Sequence, residues 1–294
     1  MTPWKDRAGN FSPLKAAAFA GTLVPVLLLA YYALAGFPKG AGASTLLGPR
    51  PFTAAIHETG DWAIRFVLLS LAVTPLRRIG QWPKLIIIRR MLGLAALCYA
   101  LGHLVLYFFD QNWDVLRAVS EIALRIYLTI GFVALLGLAV LGATSTDAAI
   151  KQLGRNWNRL HKIAYGIGIL AALHFFMQSK ADVYEPTLMA GFFILLMFYR
   201  LAHWRGLSVM SPLVLIGIAI AAALSTVIIE AAWYGLATGV PPGRVLWANL
   251  QFSYTIRPAW WVLATGLGVA ALGYVRSLGK AQVPRGRRAA RAAA

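Results

Sequence analysis

The chain has 294 residues, 59% hydrophobic and only 13% charged, with a mean hydropathy of +0.66. These values exclude an ordinary soluble domain and a disordered chain, and point to an all-α polytopic membrane helix bundle. The net charge of +18 does not imply nucleic acid, because the basic residues are divided among short segments between apolar stretches.

A span of about 20 apolar residues crosses a hydrocarbon core of about 30 Å, and about eight are predicted in chain order. The first, 16–36, follows Lys5, Arg7 and Lys15, and Ala33-Leu34-Ala35 resembles a cleavage site. Its apolar stretch exceeds the roughly 7–15 residues of a signal-peptide core, so it is read as a retained anchor. An outer loop, 37–60, is rich in Gly, Pro and small residues and holds His57, read as an interfacial polar residue. The second span, 62–80, is interrupted by Arg65 and Pro75. The third, 91–109, contains His103 and the lone Cys98, a packing residue on this reading. One cysteine excludes a disulfide framework, an Fe–S site and a C-x-x-C-H haem attachment.

Residues 109–125 carry Asp110, Asp114 and Glu121 and predict a short interfacial helix anchored by Trp113. The fourth span is 126–143; the fifth, 161–178, contains His161 and His174. The sixth, 186–204, ends near His203, which suits headgroup contact. The seventh, 211–234, holds Glu230, and the eighth is 258–275; Trp247, Trp260 and Trp261 fit an interfacial belt. The low-complexity tail 279–294, with Arg285, Arg287, Arg288 and Arg291, suits anionic lipid headgroups. A boundary is expected after 204: residues 1–204 hold the histidine-bearing spans, and 205–294 form two additional spans of structural or lipid-facing purpose with a basic tail.

Eight spans place 20 basic and two acidic residues (Asp6, Asp147) on one side, and the remaining eight basic and eight acidic residues on the other. The basic side is the cytoplasm by the positive-inside rule, with both termini there. No loop is long enough for a soluble catalytic domain, and no nucleotide-binding motif occurs. Any electrons must come from a small carrier or another protein.

The buried histidines carry the chemistry. An ionisable ring in hydrocarbon needs a partner or a role, and neutral imidazole is the usual axial ligand of buried haem iron. The third and fifth spans both run outward, and His103 and His174 each lie about 13 residues, roughly 20 Å, from the inner end. Matched depth suits two imidazoles on either side of one iron; the alternative is a pair of polar residues bridging helices, bonds that average only about 0.6 kcal/mol in membranes. His161 sits at the inner interface beside Lys162. A second haem there would need a ligand near Arg89, which is not one, and a bulge near Gly166 or Gly168 to turn His161 and His174 towards one cleft. Arg65, four residues after Asp61, is either half of an i,i+4 ion pair or the partner of a haem propionate.

The blocks HETGDWAIRFVLLSLAVTPLRR (57–78), RRMLGLAALCYALGHL (89–104), TSTDAAIKQLGRNWNRLHKIAYGIGILAALHF (144–175) and FYRL (198–201) resemble the ferric-reductase-like transmembrane family. Within it they resemble the branch of haem-binding membrane subunits that serve periplasmic methionine sulfoxide reductases. The resemblance covers about residues 14–205, and implies a six-helix core followed here by two more helices. It implies an electron-transfer subunit with non-covalent haem b, one or two, and FMN in some members. It implies electrons from the quinone pool or a flavin reductase, passed to a soluble periplasmic molybdopterin-containing catalytic subunit (MsrP-like), with this chain in the bacterial inner membrane. His103, His161 and His174 match the family's haem-ligand histidines, and His57 matches a further histidine in related chains. Arg77, Arg78, Arg89 and Arg90 form a basic set on the cytoplasmic side that would suit FMN phosphate or a quinone, although topology alone accounts for them as well. Sulfoxide chemistry itself is not expected, for lack of a molybdenum-ligating cysteine outside the membrane. Two other functions stay open: a ferric or cupric reductase-type cytochrome b subunit with another acceptor, and a transporter whose histidines relay protons.

Overall fold

A computed structural model describes residues 3–5, 9–35, 47–179, 182–252 and 255–281, with side chains to 278. Among the described residues the chain is helical, with no β-strand and an isolated bridge between Lys5 and Phe11. The helices are α1 (Pro13–Ala35), α2 (Pro51–Ile79), α3 (Arg89–Asp110), α4 (Val115–Leu124), α5 (Ile126–Ala143), α6 (Asp147–Leu153), α7 (Arg155–Leu160), α8 (Ile163–Ser179), α9 (Tyr184–Trp204), α10 (Pro212–Trp233), α11 (Pro242–Ala248) and α12 (Pro258–Ala281). A 3₁₀ segment, Pro83–Ile88, leads into α3, and a π segment, Tyr234–Thr238, extends α10. The tail from 282 and residues 36–46 of the outer loop lie outside the described residues.

Seven helical segments among the described residues are long and apolar enough to cross a membrane: Pro13–Ala35, Pro83–Asp110, Ile126–Ala143, Arg155–Ser179, Tyr184–Trp204, Pro212–Thr238 and Pro258–Leu278. This is a multi-pass membrane protein, and large apolar side chains such as Leu213 and Ile228 stay exposed as a lipid-facing surface does. Helix α2, at 29 residues, is as long as the spans. It is absent from the seven because Glu58, Asp61, Arg65, Arg77 and Arg78 dilute its apolar character.

Helix α2 also begins at Pro51 rather than near residue 62. Proline at a first helical position loses no bond, because that N–H has no intrahelical acceptor, and the apolar residues Phe52, Ala54, Ala55 and Ile56 then continue the helix. His57 therefore lies on a helix, not in a loop. Helix α4 forms where the short interfacial helix was expected. Its N-cap Asp114 accepts from the Arg117 N–H at 3.0 Å, and Trp113 packs edge-on against Phe109 at 4.7 Å. Cys98 is exposed on α3 rather than packed.

The helices group into two compact units, residues 1–71 with 87–180, and 72–86 with 181–294. In the first unit, α1 is riveted to α3 by one hydroxyl. Tyr99 Oη accepts from Val26 N–H and donates to Thr22 O, both at 2.9 Å, so it occupies the place of an i→i−4 bond beside Pro25. At the end of α2–α3 away from His103, Ser70 donates to Arg89 O at 3.1 Å.

The second unit contains α9, α10 and α12, whereas the sequence placed a boundary after 204. Small residues explain the grouping. A Cβ added at Gly191 would lie 2.5 Å from Thr226 Oγ1, and one at Gly266 would lie 2.6 Å from the Ala219 Cβ. Backbones this close are the usual means of helix association in membranes. Glu230, 1% exposed, is held here by Arg257 and Asn249.

Candidate functional site

A cavity in the first unit is lined by α2, α3, α4, α5 and α8, and both His103 and His174 face it. Their rings stand 6.2 Å apart, centre to centre, at an interplanar angle of 86°. His103 Nδ1 lies 2.8 Å from Ile56 O on α2, and His174 Nδ1 lies 2.7 Å from Tyr127 O on α5. A carbonyl can only accept, so each Nδ1 carries the proton and each Nε2 presents its lone pair. Among the described residues neither Nε2 has a protein partner.

Imidazole–metal bonds run about 2 Å, and the ring centre lies roughly 1 Å beyond the nitrogen. Two imidazoles on opposite sides of one iron therefore stand roughly 6 Å apart, centre to centre. The observed pair matches that spacing, and its outer nitrogens already hold the backbone partners that fix a ligating histidine's tautomer. The donor set thus fits a haem, which His103 and His174 would hold between them. The remaining lining is mostly apolar and small near the rings, including Gly60, Ala63, Ala134 and Ala171.

Other expected residues fall in different places. His57 also lines the cavity. His161 does not: it is the C-cap of α7, stacked on Trp157 at 3.9 Å, with Nε2 3.3 Å from Thr144 Oγ1. Thirteen residues separate it from His174, and α8 starts only after it, without the bulge near Gly166 or Gly168 that a shared cleft would need. Arg65 faces Asp61 at 4.0 Å and lies over the Trp62 ring at 5.1 Å. Arg90 binds Asp147 at 2.6 Å, joining the start of α3 to that of α6. Arg89 opens α3 beside it, while Arg77 and Arg78 close α2 in the second unit.

Three features of the site were not anticipated from sequence. The carbonyls of Ile56 and Tyr127 could not be, since any residue supplies one. Gly60 and Gly131 lie against the two rings. Tyr107, which lines the cavity, donates to Glu121 Oε2 at 3.1 Å, and Glu121 in turn faces Arg125 at 3.4 Å and Arg117 at 3.7 Å. Glu121 thus ties α4 to α3 beside the site.

The profile of the family described as Ferric reductase like transmembrane component matches residues 59–172. The chain is similar to the protein-methionine-sulfoxide reductase heme-binding subunit MsrQ of Xanthomonas campestris pv. campestris strain 8004, 42% identical over 195 residues, 66% of this chain and 87% of that one. The subunit of the same name from Xanthomonas euvesicatoria pv. vesicatoria is 43% identical, covering 64% and 88%. That of Bordetella pertussis is 35% identical, covering 66% and 95%. No solved structure matches the chain.

Proposed function

Because the chain belongs to the MsrQ family of ferric-reductase-like transmembrane proteins, we propose that it holds b-type haem between His103 and His174 and supplies electrons to a methionine sulfoxide reductase catalytic subunit. The observation that carries this reading is the 6.2 Å ring separation together with an Nδ1–carbonyl bond on each ring. When bound, haem supplies reversible one-electron exchange at its iron. The chain's own residues do the rest. His103 and His174 present Nε2, the carbonyls of Ile56 and Tyr127 keep each proton on Nδ1, and apolar lining from α2, α5 and α8 keeps water from the site.

For a propionate we propose Arg65, which follows the cavity-lining Asp61 by one helical turn and whose planar fork suits a carboxylate. His161 is engaged by Thr144 and stacked on Trp157, so the reading stops at one haem. The acceptor we propose is a periplasmic molybdopterin-containing subunit, and the donor the quinone pool or a flavin reductase. FMN or a quinone at the cytoplasmic face would meet the arginine pairs 77–78 and 89–90, each taken separately. We place the chain in the bacterial inner membrane with both termini cytoplasmic, an orientation that the one-sided charge of the eight-span reading supports.

The test is optical. Purified full-length chain reduced with dithionite should show the Soret and α bands of b-type haem. His103→Ala and His174→Ala should each lower haem content on the order of 10-fold or more. Full retention in both variants would sink the ligation, and a colourless wild type would favour the proton-relay transporter.

A further inference from the structure

The two histidines lie 71 residues apart, and so do their surroundings. The acceptor carbonyls, Ile56 and Tyr127, are separated by the same 71 residues. So are the glycines against the rings, Gly60 and Gly131. The cavity lining repeats the interval: Ala63 and Ala134, Ile64 and Leu135, Val67 and Leu138, and Ala100 and Ala171 all line it. The helices carrying these residues are α2 and α3 in one case, α5 and α8 in the other. In each pair the acceptor sits near the start of the first helix and the histidine near the end of the second, so both pairs are antiparallel.

We propose that α2–α3 and α5–α8 are two copies of one ligand-presenting unit, in which Gly60 and Gly131 are positioning residues for His103 and His174. This rests on the haem reading above. The physical argument concerns the fourth residue after the acceptor. In a helix, the carbonyl of residue i already takes the N–H of residue i+4, and its second lone pair is open only from the side. The imidazole reaches that lone pair by crossing over residue i+4, which is Gly60 for Ile56 and Gly131 for Tyr127. A Cβ at Gly60 would fall 3.0 Å from His103 Nδ1 and 3.1 Å from its Cε1. One at Gly131 would fall 2.7 Å from His174 Nδ1 and 2.8 Å from its Cε1. At Gly131 the ring must move off the carbonyl, whereas at Gly60 it must give by a few tenths of an ångström, which lengthens its bond to Ile56 O. With that acceptor lost or weakened, the Nδ1 proton no longer strengthens Nε2 as a donor to the same degree, which disfavours the ferric state relative to the ferrous.

The experiment compares Gly60→Ala, Gly131→Ala, His103→Ala and His174→Ala in the full-length chain. Gly166→Ala on α8 and Gly217→Ala on α10, where an added Cβ meets nothing within 4 Å, serve as controls. The readouts are the haem midpoint potential and the rate of haem transfer to excess apomyoglobin. Gly60→Ala and Gly131→Ala should both raise the potential and speed transfer, by about 10-fold or more for Gly131→Ala and less for Gly60→Ala; the controls should match wild type. Should Gly131→Ala fail to accumulate, Gly60→Ala carries the test. Wild-type potential and transfer in the glycine variants, with haem lost from the histidine variants, would overturn the positioning role and leave the ligation standing. A shift in only one glycine variant would overturn the equivalence of the two copies. Haem retained in both histidine variants would instead strike the reading on which the proposal rests.

Discussion

Helices α10, α11 and α12 bury one carboxylate, Glu230, and meet both of its oxygens: Oε1 faces Arg257 at 3.3 Å and Oε2 accepts from Asn249 at 2.7 Å. Asn249 is fixed in turn, since its carbonyl accepts from Trp260 Nε1 at 2.7 Å. Helices α3 and α8 carry two half-buried imidazoles, and the backbone of α2 and α5 meets only one nitrogen of each. Both arrangements satisfy the cost of taking polar groups out of water, but they differ in what remains. Around Glu230 the remaining chemistry is mutual, so the cluster clamps helices together. Around the histidines one lone pair per ring is left facing a cavity, which is what the proposed haem site requires and a strut does not.

The largest test of that contrast is Glu230→Ala. It leaves Arg257 without its buried partner, and breaking such pairs costs about 3–5 kcal/mol. The loss should fall towards the lower end, because the Arg257 side chain keeps 27% of its surface. Thermal unfolding in detergent should show it, while haem per folded molecule should not change; haem loss without destabilisation would erase the distinction. A smaller effect is expected from Tyr99→Phe, which strips the hydroxyl from the α1 ladder and leaves Val26 N–H and Thr22 O without it. About 1–3 kcal/mol is at stake, read as lowered melting temperature with unchanged potential. The smallest is Asp147→Asn. The Arg90–Asp147 pair is about half exposed (side chains 42% and 46%), so the loss should stay under about 1 kcal/mol and vanish at high salt. A larger, salt-independent loss would mean that this rim pair behaves like the Glu230 clamp.

The sequence was most legible where period and polarity agreed. The fourth span was predicted at 126–143 and α5 runs Ile126–Ala143; α4 formed around the acids that marked it. Legibility failed at α2, whose first turns look like loop because Thr53, His57, Glu58, Thr59 and Gly60 interrupt the apolar pattern. Those polar residues include ones that face the cavity, so the same chemistry that builds the site hid the helix. The boundary expected after 204 rested on histidine content, whereas the compact units follow close packing at Gly191 and Gly266, which hydropathy does not register. His103 and His174 were singled out by matched depth and by the family resemblance, and the structure brings their rings together. Their carbonyl partners left no trace in residue type, but the 71-residue interval was readable in principle: Gly60 and Gly131, Ala63 and Ala134, Ala100 and Ala171, and the histidines are identical pairs at that spacing.

That Ile56 and Tyr127 contribute only main-chain oxygen has a genetic corollary. Swapping either side chain leaves the acceptor in place, since every amino acid brings the same C=O. Substitutions at 56 and 127 that keep the helix and the apolar packing of Ile56 should therefore leave the imidazoles tethered, and the residue one turn further along is the more direct handle on their electronic tuning.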